Sequence, residues 1–188
     1  MSTKSLLESL RTGKIDDAFE AAKRLSRSAN PPVKEIIKVL NTAETIQHRE
    51  AAAYALSWML RLNNNAPLKA LIECVNNQDQ NSIVRGQALE GLGIHAPSQR
   101  NALWRNIEKA VLQSLNDVSP EVRFWACYTA GTLRIRRALP LLRKLVSEDN
   151  AMCPNWWKVS EEAADAVEWI HRRQHTPDRN RVPEAAQH

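Results

Sequence analysis

His171 and His175 stand one helical turn apart in His171-Arg172-Arg173-Gln174-His175. That spacing aims two imidazoles at one point, as a zinc-binding pair requires, but no third ligand at a suitable spacing accompanies them. Histidines and arginines there also suit the C-terminus of a helix, whose dipole favours cations. Cys74, Cys127 and Cys153 are too widely spaced for a metal-binding pair. Cys74 and Cys127 sit among apolar neighbours and read as buried structural thiols, whereas Cys153, in the loop Asn150-Ala151-Met152-Cys153-Pro154, reads as exposed. No Gly-x-Ser-x-Gly elbow and no glycine-rich phosphate loop occurs, and five glycines in 188 residues leave little for a nucleotide-binding turn. The chain offers no catalytic residue set, no metal site and no reason to expect a cofactor.

The remaining chemistry is that of recognition. The net charge is +5, yet no third of the chain dominates it. Within the last third, Arg123, Arg134, Arg136, Arg137, Arg143 and Lys144 follow one another with no acidic residue among them. Glu148, Asp149, Glu161, Glu162, Asp165 and Glu168 come next, relieved only by Lys158. Tryptophan is abundant, six residues against two each of Phe and Tyr. Trp58 and Trp169 fall near an apolar stripe and read as core. Trp125 follows Phe124, so one of the two points away from the main stripe. Trp156 and Trp157 are adjacent at an expected helix start, where neighbours lie about 100° apart and cannot both centre on one face. One of them is either an exposed aromatic anchor for a partner or a shield over the last part of the core.

These residues are carried by a repeat. His48-Arg49-Glu50-Ala51-Ala52, Val84-Arg85-Gly86-Gln87-Ala88, Val122-Arg123-Phe124-Trp125-Ala126 and Val159-Ser160-Glu161-Glu162-Ala163 begin four copies of one helix, offset by 36, 38 and 37 residues. Small residues recur at Ala52, Ala88, Ala126 and Ala163, and three residues later at Ala55, Gly91, Thr129 and Ala166. The spacing places both sets on one helical face, with Leu56, Leu92, Ala130 and Val167 completing a buried stripe. A fainter copy lies at Asp17 to Leu25. Between these helices come others that begin near Pro31-Pro32, Pro67 and Pro140, where a missing N–H costs nothing, and a further one over roughly 99–115 without proline. Ser119-Pro120 reads as an N-cap followed by proline, and Ser5-Leu6-Leu7-Glu8 as a capping box. No alternating pattern or hairpin turn predicts a sheet.

The pattern Val-Arg-x-x-Ala-x-x-x-Leu-Gly followed by Ala-x-Pro-x-Leu, clearest from Val122 to Val146, resembles that of HEAT and HEAT-like, armadillo-type repeat proteins over about residues 15–171. The first unit lacks the arginine, the second has His48 for valine, and the last has Ser160 for arginine and Glu168 for glycine. Atypical ends suit repeats whose outer faces meet water. The resemblance implies an all-α fold, a right-handed α-solenoid of about five antiparallel helix pairs. The expected organisation is one domain over 1–175, with units at about 5–42, 45–76, 82–115, 119–147 and 155–174, and a disordered tail over 176–188. No apolar leader or run of 18 uncharged apolar residues appears, so a cytoplasmic protein without membrane segments is expected.

Second helices line the concave surface in this family. Here they carry Lys34, Lys38, Lys69, Arg105, Lys109, Arg143 and Lys144 against Glu35, Glu73 and Glu108, which implies a mildly basic groove. The function expected is a non-catalytic scaffold that binds a protein with an acidic surface, of the inhibitor, adaptor or immunity type. The residues expected to bind that partner are Lys69, Trp104, Arg105, Lys109, Arg136, Arg137, Arg143, Lys144, Trp156 and Trp157. The alternative is nucleic acid. Some HEAT-like proteins are alkylpurine DNA glycosylases with groove tryptophans, an aspartate and an arginine, and Trp104, Glu108 and Arg143 superpose on such a set with glutamate in place of aspartate.

Overall fold

A computed structural model describes residues 2–172; the expected tail over 176–188, and His175 with it, lies outside the described residues. These form ten α-helices: α1 (Thr3–Thr12), α2 (Ile15–Ser26), α3 (Val33–Thr42), α4 (Ile46–Ser57), α5 (Ala66–Asn76), α6 (Ser82–His95), α7 (Ala102–Ser114), α8 (Pro120–Thr132), α9 (Leu139–Glu148) and α10 (Val159–His171), with a 3-10 turn at Arg136–Ala138. No strand occurs among the described residues, only an isolated bridge between Met152 and Lys158. The fold is the all-α arrangement of HEAT-like helix pairs that the repeat predicts.

The helix starts follow the sequence signals with one shift. Prolines stand within the first turn of α5, α8 and α9. At α1 the cap is Ser2 rather than Ser5: its side chain accepts from the Ser5 N–H. The capping-box reading placed the start three residues too late, because Ser5 already lies inside the helix.

The chain divides into two compact units, Met1–His95 and Ala96–His188, and the division falls inside the expected 82–115 repeat. In the first unit the repeated helices α2, α4 and α6 pack in succession, with α1 on α2, α3 on α4 and α5 on α6. In the second, α8 packs on α10, α7 on α8 and α9 on α10. Within each unit a repeated helix packs both on the helix before it and on the neighbouring repeated helix.

The small-residue positions account for this closeness. Ala52, Ala88, Ala126 and Ala163 are wholly buried, as are Ala55, Thr129 and Ala166. At Gly91 a methyl group would strike the Ser57 hydroxyl and lie 2.9 Å from Leu71 Cδ1; at Gly131 it would lie 2.6 Å from the Trp169 ring and 2.9 Å from Ala166 Cα. Alanine or glycine there sets the helix separation, and the larger Leu56, Leu71, Leu89, Leu92, Ile107 and Phe124 fill the space beside it.

Candidate functional site

The arginines of the repeat motif are the first candidates, and the structure assigns them to the scaffold. The Arg49 guanidinium donates to the Ala43 carbonyl at 3.3 Å and that of Arg85 to the Val75 carbonyl at 3.0 Å. Arg123 donates to the Asp117 and Val118 carbonyls at 2.8 and 3.0 Å and forms a two-point ion pair with Asp149, the shorter contact 2.6 Å. Each arginine thus holds carbonyls at or just beyond the end of the preceding helix, where partial negative charge collects. In the last copy, where Ser160 replaces arginine, the Ser160 N–H instead donates to the Asp149 carbonyl.

The second unit separates charge between its two sets of helices. On α7, the 3-10 turn and α9 stand Arg105, Lys109, Arg136, Arg137, Arg143 and Lys144, all exposed, against the carboxylates Glu108 and Glu148. Glu108 pairs with Arg137 at 3.3 Å and Glu148 with Lys144 at 4.0 Å. On α8 and α10 the balance reverses: Glu121, Glu161, Glu162, Asp165 and Glu168 face the single cation Arg123, which is spent on Asp149. In the first unit Lys69 is exposed on α5 with Glu73 on the same helix.

The acidic side also holds the aromatic residues. Phe124 is 1% exposed, and Trp125, Trp156 and Trp157 surround it with ring centroids 5.5, 5.9 and 5.6 Å away. The Trp125 indole N–H donates to Glu121 Oε1 at 3.1 Å and that of Trp157 to Glu162 Oε2 at 2.9 Å. Burial raises the Glu121 carboxyl above the usual carboxylate range, against the hydrogen bonds from Trp125 and Cys153 that favour its charged form.

Several expectations about single residues change here. Trp156 and Trp157 lie in the loop before α10 rather than on its first turn, because the bridge at Met152 and Lys158 and a left-handed Asn155 (φ 63°) fold that loop back on itself. Both are half-buried, so neither is the lone exposed member of the pair. Cys153, expected to be exposed, is 1% exposed because the same loop carries it to Glu121, whose Oε2 accepts from its thiol at 3.5 Å. Burial pushes all three thiols up, that of Cys74 to about 12, so none is a ready nucleophile. Trp58, expected in the core, is 37% exposed: it caps α4 outside the helical stripe, stacks on Tyr54 and donates to Glu90. His171 is exposed and its Nδ1 bonds the Val167 carbonyl at 2.7 Å.

Trp104 is 8% exposed, with the Arg100 guanidinium 5.5 Å from its ring centroid. It belongs to the core of α7, and Glu108, one turn on, is engaged by Arg137. A base drawn out of a duplex finds no open aromatic face at Trp104, so the glycosylase alternative has no support. Trp104 leaves the set of partner-contacting candidates; Arg105, Lys109, Arg136, Arg137, Arg143 and Lys144 are gathered on one set of helices.

The comparisons agree with this fold. The sequence pattern of the family described as HEAT repeats matches residues 69–168, just over half of the chain. A solved crystal structure of an engineered protein is similar at a TM-score of 0.56 and 18% identity, over 90% of this chain and 80% of that one; that likeness concerns the fold alone. Among curated proteins none matches. No helix among the described residues is long and apolar enough to cross a membrane.

Proposed function

Since this chain belongs to the HEAT-repeat family, we propose that binding is its activity: it is a scaffold that grips the acidic surface of another protein, as an inhibitor, adaptor or immunity-type protein does. The observation that carries the reading is the clustering of Arg105, Lys109, Arg136, Arg137, Arg143 and Lys144 on α7, the 3-10 turn and α9 of one unit. A face of one sign raises the rate at which an oppositely charged surface is encountered and disfavours like-charged competitors. Arginine suits it further, because its planar fork meets carboxylates at two points. Lys69 on α5 is the contribution expected from the first unit.

Photo-crosslinking in the native cell tests this. A photoactivatable residue at Gln113 or Ser147, both exposed beside the cations, should yield discrete protein adducts. Those adducts should vanish when Arg105, Lys109, Arg143 and Lys144 are changed together to glutamate. Adducts that persist in the charge-reversed protein overturn the reading, and adducts that nuclease removes replace the protein partner with nucleic acid.

A further inference from the structure

The segment 149–158, between α9 and α10, lies outside the repeat pattern and is closed by backbone bonds of its own. The Cys153 N–H donates to the Trp157 carbonyl at 3.1 Å, the Trp156 N–H to the Cys153 carbonyl at 3.0 Å and the Val159 N–H to the Ala151 carbonyl at 3.0 Å. Two of its side chains fasten it to the helices, and each does so on a carboxyl group. The Cys153 thiol donates to Glu121 Oε2 on α8 at 3.5 Å, and the Trp157 indole N–H to Glu162 Oε2 on α10 at 2.9 Å. Glu121 is 9% exposed and Glu162 2%. Burial, with the charge of both carboxylates added to it, raises the Cys153 thiol, so both acids stand near that residue. The same segment carries Trp156 and Trp157 onto Phe124. It is a strap that covers the core and two buried acids together.

Glu121 has no cation to hold its charge. It accepts from two neutral donors, the Cys153 thiol and the Trp125 indole, the latter at 3.1 Å. Of the charged groups on the surrounding elements, Arg123 on α8 is paired with Asp149 of the strap, and Lys158 closes the strap without an ion pair to Glu121. Asp117 before α8 accepts from the Ser119 N–H, and α10 adds Glu161, Glu162 and Asp165. On α7, Glu108 is engaged by Arg137, and Arg105 and Lys109 are exposed. Ionising a buried carboxyl that lacks a cation costs more than ionising one in water. That cost disappears when the cover over it lifts.

We propose that residues 149–158 form a pH-sensitive strap: the protonated Glu121 carboxyl keeps it closed, and ionisation favours a locally open state that uncovers Cys153 and Phe124 while the helices stay folded. Opening also gives up the bond from Trp157 to Glu162. The sign follows from burial, which holds the closed Glu121 carboxyl above its ordinary value of 4.5, to which the solvated, open form returns. The closed state therefore keeps the extra proton between those two values. Across that window the opening constant climbs by up to about tenfold per pH unit, and above it the constant is level. The device does not depend on what α7 and α9 bind.

Amide hydrogen exchange of the intact protein across the range from mildly acidic to mildly alkaline pH, corrected for the intrinsic exchange rate at each pH, reads the opening. The amides of Cys153, Trp156 and Val159, bonded within the strap, should exchange faster than those of Ala126 and Cys127 inside α8. Their protection should fall as pH rises, by up to about tenfold per unit, and then level off. Glu121→Gln keeps the shape and an acceptor oxygen without the charge, and should remove most of that dependence; circular dichroism checks that it folds. Equal protection of strap and α8 at every pH overturns the proposal, because the strap then opens only with the whole unit. So does strap protection in the unaltered protein that is indifferent to pH, a result that needs no variant. The same pH dependence in Glu121→Gln overturns it as well, since the proton then belongs to another group.

Discussion

Arg123 shows how one side chain can be claimed by the scaffold rather than by a partner. It meets two carbonyls and the Asp149 carboxylate while its own side chain is 17% exposed and that of Asp149 9%. Replacing it with alanine leaves a nearly buried carboxylate unpaired, and the expected loss is about 2–4 kcal/mol in urea unfolding. Arg49→Ala, which gives up its bond to the Ala43 carbonyl, should cost only about 1 kcal/mol. Glu121 governs a pH dependence of definite sign. Its folded carboxyl titrates above the ordinary value of 4.5, so between those two pH values the folded state holds more protons than the unfolded one. Stability from this group therefore grows as pH falls from neutral toward 4.5 and is lost as pH rises through the folded value. Glu121→Gln should flatten that part of the stability curve; a parallel curve in the variant would assign the slope elsewhere. Side chains of this kind were half legible in the sequence. The burial of Cys74 and Cys127 followed from their apolar neighbours, whereas the burial of Cys153 depended on a loop returning to Glu121, a residue 32 positions away.

Helices are held apart, or allowed together, by the residues at their crossing points. Gly91 and Gly131 admit Ser57 and Trp169 at distances a methyl group would violate. Gly91→Ala and Gly131→Ala should each destabilise the protein by about 1–3 kcal/mol, through overpacking rather than through backbone strain. Ser57→Gly removes the hydroxyl and the Cβ in the way but also the bond from that hydroxyl to the Gln87 carbonyl, so the double variant should lose less than the sum of the two single losses in urea unfolding. The pattern of small residues announced these contacts because helix periodicity is local and survives in any window of a few turns. The connection from Asp149 to Lys158 was not announced. Its course is set by the Asn155 backbone, the Met152–Lys158 bridge and the packing of two tryptophans on Phe124. At the end of α10, Glu168 and Arg172, one turn apart, form an ion pair.

At the scale of the molecule, charge is sorted by helix rather than by stretch of sequence. Exposed cations on α7 and α9 make few contacts that the fold needs, so changing Arg105, Lys109 and Arg143 to glutamate should move the melting temperature by less than about 3 °C while abolishing capture of an acidic partner. A large fall in melting temperature would make those residues structural. The net charge of +5 conceals this sorting, because the second unit pairs a basic set of helices with an acidic, aromatic one. The repeat, the ten helices and the small-residue contacts were determined by the sequence by itself, since each rests on spacing along a single helix. Which of the tryptophans meet solvent was decided by the tertiary structure. Trp104 sinks beneath Arg100, Trp58 emerges at a helix end, and five rings from two helices and a loop align into one row. The physical reason is that exposure belongs to a pair of packed elements, and the residues that form each pair here lie up to about 40 positions apart in the chain.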